Sequence, residues 1–326
     1  MPGIFTISMD LELYWGVRDS RSFAEYEANL CGERNAIRGI LDLFDAHDIH
    51  ATWATLGFLF FKDIAELRKH LPGVLPDYSR QQLSSYRYMD EHTWGDDDIY
   101  HFAPDTIELI RSFDGQEIGT HTFSHYYCLE EGQTIESFRE DLQAAVEIAN
   151  AQGIPTTSLV FPRNQGNPDY LPVLNELSIA CYRGNESASF YKPRNKQEQG
   201  SLVRALRLLD AYINLSGYNT YSLEECARGR PFNVPASRFL RPYSRSLASL
   251  ESLRLHRIKR AMRDAAANHR LFHLWWHPHN FGADVKHNLA FLQRILAYYD
   301  QLNQRYGMQS RNMGEVAVML ERMHAG

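Results

Sequence analysis

The stretch QEIGTHTFSHYY, residues 116–127, runs from a strand-like segment straight into two histidines four apart. QEIGT reads as a short strand that ends just before His121. A helix beginning after Gly119 would carry His121 and His125 on one face, close enough to hold a single cation. The plainer alternative is a pair of ordinary polar residues. The rest of the chain bears on the choice.

Working outward, GIFTISMD alternates apolar and small polar residues and reads as a buried strand ending at Asp10. HATWATLGF, TTSLVFP, SIACY and LFHLWW read as further strands. Between them apolar residues recur at helical spacing over 33–46, where Ile37, Ile40, Leu41 and Phe44 share a face, and over 135–151. The same spacing marks 169–177, 249–267, 287–306 and 313–323. Thr134 suits an N-cap, and Asn312 with Glu315 has capping-box spacing. Strands alternating with helices predict a parallel α/β sheet, either a closed barrel or a doubly wound sheet. Residues 70–105, with Pro72, Pro76, Pro104 and the acidic run GDDD at 95–98, read as a lid inserted into a single domain spanning 1–326. Residues 185–235 show no clear element.

The composition is that of a globular protein with a sizeable core: 326 residues, 44% hydrophobic and 23% charged. A net charge of −6 argues against nucleic-acid binding, which needs a basic excess. The basic run RLHRIKRAMR at 254–263 carries Leu255, Ile258 and Met262 at helical spacing, as an amphipathic helix with a solvated basic face would. No stretch approaches the ~20 apolar residues of a membrane span, which leaves only peripheral membrane contact open. The start lacks a signal-peptide pattern, and the four cysteines form no CxxC pair. Reduced thiols in a cytoplasmic protein are the expectation.

In parallel α/β folds the C-terminal ends of the strands converge on one face, where chemistry is done. Here those ends deliver Asp10 and Glu12, His121 and His125, Arg163 and Asn164, and His277 and His279. Asp10 and Glu12, two apart, point to the same side of their strand. An arginine among acids holds one of them ionised and aimed. Asn164, Gln165, His279 and Trp276 are the candidate substrate contacts. Trp275, Tyr78, Tyr86 and Tyr88 offer further stacking faces for a sugar ring, with core packing the plainer reading for each aromatic.

SMDLE at 8–12, HTFSH at 121–125, FPRNQ at 161–165 and LFHLWWH at 271–277 resemble, in order, the motifs of the polysaccharide deacetylases. The resemblance implies a distorted (β/α)7 barrel and a metal-dependent hydrolase, with Zn2+ the usual cation. It implies that Asp10 is the catalytic base, that His121 and His125 bind the metal, and that His277, or its neighbour His279, is the general acid. Arg163 would orient the base, and Asp210 in RLLDAY is the candidate for tuning the late histidine. Leu11 stands where the family has a second, metal-binding aspartate, and Pro162 and Arg163 reverse the family's usual order. Glu12 resembles the variant whose third ligand sits two residues after the base. That branch removes formyl or acetyl groups from lipid-linked or nucleotide-linked sugars. The expected reaction is removal of an N-acyl group from an amino sugar, a precursor of a cell-surface polysaccharide such as O-antigen. The alternatives are an allantoinase-like hydrolase of a small linear or cyclic amide, and a catalytically silent sugar-binding protein.

Overall fold

The computed structural model describes residues 1–95, 98–195 and 200–325; Asp96 and Asp97 of the acidic run lie outside the described residues. Eight parallel strands form one sheet: β1 (Ile4–Leu11), β2 (Ala51–Thr55), β3 (Gln116–Thr120), β4 (Ser158–Val160), β5 (Cys181–Arg183), β6 (Phe232–Asn233), β7 (Arg238–Phe239) and β8 (Leu271–Trp276). A ninth, β9 (Gln309–Ser310), pairs with the start of β1. The sheet order is β6-β5-β4-β3-β2-β1-β8-β7. Its two ends belong to one extended segment. Val234 N–H donates to the Tyr182 carbonyl, while Leu240 N–H donates to that of Trp275. Residues 232–240 therefore act as a seventh stave between β5 and β8, and the sheet curls into a distorted (β/α)7 barrel.

A barrel of so few staves has a narrow bore, and the inward residues are correspondingly small or polar. On β1 the outward Phe5, Ile7, Met9 and Leu11 join the main apolar core, while Thr6, Ser8 and Asp10 alternate with them. On β8 Phe272, Leu274 and Trp276 belong to that same core. The other parity faces the bore: His273 Nε2 lies 2.8 Å from Ser8 Oγ across the β1–β8 pair. At Gly119 an added Cβ would come within 2.5 Å of Ser158 Oγ, so β3 and β4 close up only because that side chain is missing.

The helix Phe23–Ala46 begins ten residues before the predicted 33–46, on a Ser22–Glu25 capping box. Its first half is mostly polar or half-exposed and so carries little apolar periodicity. In the fold Gly32 marks a close crossing, where a Cβ would sit 2.0 Å from the Gly282 carbonyl oxygen. The helices Ile135–Ala151, Glu251–Ala267, Val285–Tyr306 and Met313–Ala325 match the predicted ones to within two residues. Asn312 does cap the last: its Oδ1 accepts the Glu315 N–H at 2.8 Å, and Glu315 Oε2 accepts the Asn312 N–H at 3.0 Å. Within 185–235, where no element was predicted, lies the helix Ser201–Asp210. Much of the 70–105 segment is packed: Tyr86, Met89 and Phe102 belong to the main core, and a short helix spans Ser85–Glu91. No helix among the described residues is long and apolar enough to cross a membrane.

Candidate active site

At the C-terminal rim the Glu12 carboxylate is ringed by imidazoles. Its Oε2 lies 2.9 Å from His125 Nε2 and 3.2 Å from His121 Nε2. Its Oε1 lies 3.1 Å from His279 Nε2 and 3.6 Å from His277 Nε2. Glu12 is buried, and burial alone would raise its pKa. The surrounding histidines outweigh that and hold it well below the usual carboxylate range. Leu11 points the other way, into the apolar core, so the alternation of β1 makes Glu12 the acid that joins Asp10 at the rim. Gly16 leaves room for it: a Cβ there would lie 1.9 Å from Glu12 Cδ. Gly16→Ala should therefore displace the carboxylate and weaken cation binding about 10- to 100-fold, read by competition with a zinc-responsive dye. Unchanged affinity would show that Glu12 takes no part.

The two histidines of the opening stretch do not lie on a helix. Thr122 and His125 adopt φ of 65° and 63°, the left-handed region, and the chain turns instead of coiling. Asp141, on Ile135–Ala151, holds that turn by accepting the backbone N–H groups of Phe123 at 2.8 Å and Ser124 at 3.2 Å. Burial pushes the Asp141 carboxyl up to about 6 against these bonds. Each imidazole is fixed from behind. His121 Nδ1–H donates to the Val160 carbonyl at 2.9 Å, and His125 Nδ1 meets the Tyr127 hydroxyl at 3.0 Å. Because the Val160 carbonyl only accepts, the neutral form of His121 is the tautomer that turns its Nε2 lone pair toward Glu12. Burial depresses the His125 pKa to about 4, so that imidazole is neutral at pH 7. Two nitrogens meeting one carboxylate oxygen, with a lone pair turned toward an anion, is the donor chemistry of a divalent-cation site. Glu12, His121 and His125 fit such an ion, and Zn2+ suits an N2O set with a position left for water.

Asp10 is gripped by Arg183, which donates to Oδ1 at 2.7 Å and to Oδ2 at 2.8 Å. Burial works against ionisation of Asp10, and the Arg183 guanidinium, with His121 and His277, more than offsets it, so the pKa lies below the ordinary value. Arg183 also donates to Ser8 Oγ and Asn164 Oδ1 and stacks on Trp275, its Cζ 4.2 Å from the ring centroid. Arg163, expected to orient Asp10, instead pairs with Asp19 and covers the Tyr127 ring at 4.5 Å. Its left-handed backbone (φ 54°) turns the side chain toward the His125 side of the rim.

The remaining expectations divide in the same way. His277 lines a cavity of about 310 Å3, with its Nε2 3.6 Å from Asp10 Oδ2. His279 is buried behind Glu12, with Nδ1 2.6 Å from the Tyr26 hydroxyl, and does not line that cavity. Asp210 does not meet His277; it is held by Arg238 and Arg257 and accepts the Ser216 N–H at 2.8 Å. Asn164 lines the cavity, but Gln165 is fully buried, donating to Glu130 and accepting from Leu129 N–H. Trp276 is buried against Phe44 and Phe281, and its odd-numbered neighbour Trp275 faces the cavity, because adjacent strand residues point oppositely. Tyr78 and Tyr86 are likewise core residues.

Behind His279 lies Glu33, fully buried, whose two carboxylate oxygens have no hydrogen-bond partner among the described residues. Burial raises its pKa to about 7, against the pull of His279 and with help from Glu12. A folded pKa above the unfolded value of 4.5 means that stability falls as pH rises from about 4.5 to about 7. Glu33→Gln should flatten that slope, gaining up to about 3 kcal/mol over the native protein at pH 8 in urea unfolding. Equal pH slopes for the two proteins would refute it.

No family model matches this sequence, and no curated protein matches it. Solved structures do. A Mycobacterium smegmatis protein assigned to the polysaccharide deacetylases superposes with a TM-score of 0.62 at 12% identity, covering 99% of this chain and 92% of that one. A Pseudomonas aeruginosa PAO1 protein assigned to the same group gives 0.58 at 10% identity, over 99% and 92%. The chain has the polysaccharide deacetylase fold. The PuuE allantoinase shares that fold, with a TM-score of 0.55 at 12% identity over 99% of this chain and 91% of the other. In this polysaccharide deacetylase fold, two residues that matter at the rim went unpredicted. Arg183 ends β5 just one residue beyond the predicted SIACY strand, so the strand-end rule that found the histidines would have found it. Asp141 left no local signal, since an acid in mid-helix looks like a solvated one.

Proposed function

We propose that the protein is a metal-dependent hydrolase that removes an N-acyl group, acetyl or formyl, from an amino sugar. The observation that carries this reading is the cation-binding face of Glu12, His121 and His125 beside an ionised, Arg183-held Asp10. A divalent cation at that face, Zn2+ by its donor set, supplies Lewis acidity for an amide carbonyl and its attacking water. Asp10, kept ionised and aimed by two charge-assisted bonds, takes the proton of that water. His277, which lines the cavity between Asp10 and Trp275, protonates the leaving amine, a poor leaving group while unprotonated. His279 donates to Glu12 Oε1 and keeps its other oxygen turned to the histidine pair. Asn164 and Trp275 border the space left for the sugar.

The substrate in this reading is a precursor of a cell-surface polysaccharide such as O-antigen, handled in the cytoplasm. The test is acyl release by zinc- or cobalt-loaded protein from a panel of free, nucleotide-linked and lipid-linked N-acyl amino sugars, with ureides alongside. Acetate or formate from an amino sugar supports the proposal. Turnover of ureides alone moves the chemistry to small amides, and no release from any member defeats it.

A further inference from the structure

The 70–105 insertion gathers a second set of metal-type donors, separate from Glu12 and its histidines. His92 follows the helix Ser85–Glu91, and Asp98 and His101 lie on the approach to the helix Pro104–Arg111. One ring nitrogen of each histidine and a carboxylate oxygen of Asp98 lie within 4.8 Å of one another. His101 Nδ1 is 2.9 Å from both Asp98 oxygens, and His92 Nε2 is 4.0 Å from Oδ2. The wider gap is too long for a hydrogen bond, but two bonds of about 2 Å to a shared ion span it. Asp98 is held in place, since its Oδ1 accepts the Tyr100 N–H at 3.1 Å. Burial works against its ionisation, and His101, that N–H and His92 outweigh it, so the carboxylate is charged.

The other two ring nitrogens meet at one phenol. Tyr88 Oη lies 3.2 Å from His92 Nδ1 and 3.0 Å from His101 Nε2. Burial raises the Tyr88 pKa, so the phenol keeps its proton. Burial also lowers His92, with His101 adding to the effect against the pull of Asp98, and that ring is neutral at pH 7. Two neutral imidazoles and a phenol bring three protons to four contacts, two at the phenol and two at the carboxylate. One ring nitrogen must then turn a lone pair toward an acceptor. An extra proton on His101 would fill the fourth contact but leave the 4.0 Å gap unbridged. A divalent cation resolves both: each ring turns its N–H to the phenol oxygen, which has two lone pairs, and its own lone pair to the ion.

We propose that His92, Asp98 and His101 hold a second divalent cation, which fastens the insertion to the body of the protein. Two imidazoles and one carboxylate select Zn2+ or Co2+ over Ca2+ and Mg2+, which prefer oxygen ligands. The ion ties the end of Ser85–Glu91 to the approach to Pro104–Arg111. The loop it fixes supports the turn that follows Glu12: Trp15 Nε1–H donates to the His101 carbonyl at 2.8 Å, and the Tyr14 N–H to that of Tyr100 at 3.1 Å. His92 keeps 32% of its side chain exposed, against 3% or less for Glu12, His121 and His125. This second ion is therefore the looser of the two and leaves during purification.

The test counts ions bound to the full-length protein. Equilibrium dialysis against micromolar zinc chloride should add about one ion per chain to the one retained through purification, and should raise the melting temperature by about 2–4 °C. His92→Phe, which keeps a ring stacked on Tyr88, should lose both the added ion and the shift. Asp98→Asn should do the same, and melting without zinc checks that each variant folds. Calcium chloride should add nothing. No added ion overturns the proposal, and so does an added ion that both variants keep. Equal uptake of calcium also overturns it, since that marks a loose attraction to the acidic run at 95–98. A single zinc in all, lost in His92→Phe, would defeat the cation site at Glu12 and leave this one standing.

Discussion

Glu12→Gln is expected to empty the cation site and reduce acyl release by about a thousandfold or more. The amide keeps the shape of the side chain but gives up the negative charge that four imidazole nitrogens surround. A lost cation removes several kcal/mol of transition-state stabilisation, and each 1.36 kcal/mol is a factor of ten. Metal analysis of protein purified with zinc should fall from about one ion per chain to almost none. Two controls make the result specific. His121→Ala should lose metal as Glu12→Gln does, whereas His279→Gln should keep most of it while weakening affinity about 10- to 100-fold. A stoichiometric ion in Glu12→Gln would mean that the carboxylate is only a hydrogen-bond acceptor for the histidines, and the hydrolase reading would lose its centre.

Arg183→Met is the second large effect, and it acts through Asp10. Removing one partner of a buried pair leaves an uncompensated charge, at a cost of about 3–5 kcal/mol, a large share of an ordinary domain's stability. The sign with pH follows from the depressed Asp10 pKa. In the native protein the pair contributes stability above the unfolded value of 3.8, and this is lost as pH falls through the lower folded value. Without Arg183, burial prevails and the Asp10 pKa rises, so the acid limb of the pH–rate profile should move to higher pH. Arg183→Lys separates charge from geometry: it should recover much of the stability but less of the rate, because a lysine cannot make two parallel bonds. Arg163→Met, which leaves the Asp10 pair intact, should not move that acid limb. If Arg163→Met moved the limb and Arg183→Met did not, the assignment of the base's partner would be reversed.

What could be read early and what could not differ by the range over which each is encoded. The strands and most helices were legible because periodicity is local: IFTISMDL and LFHLWW carry their own burial pattern, and Asn312 announces its cap three residues from Glu315. The helix around Gly32 was half missed, since its first half carries little apolar periodicity and the contact with Gly282 lies 250 residues away. Both Trp275 and Trp276 were offered as faces for a sugar, and only Trp275 lines the cavity. The strand says that neighbours oppose each other, but not which parity faces the bore.

The rim residues show the same division. The order of the chain, with strands that end at Asp10 and just before His121 and His277, was enough to bring acids and imidazoles to one end of a parallel barrel. Strand direction alone does that. Which groups then touch was decided only in three dimensions. Arg183 ends β5 and Arg163 follows the neighbouring β4, yet a left-handed backbone turns Arg163 toward Asp19 while Arg183 reaches Asp10 across the bore. Asp210 found arginines instead of a histidine, and the two HTFSH imidazoles met through a turn tied to Asp141. Local sequence sets the residue types and where each strand stops. Contacts between distant segments depend on packing and backbone angles, which no window of the chain contains.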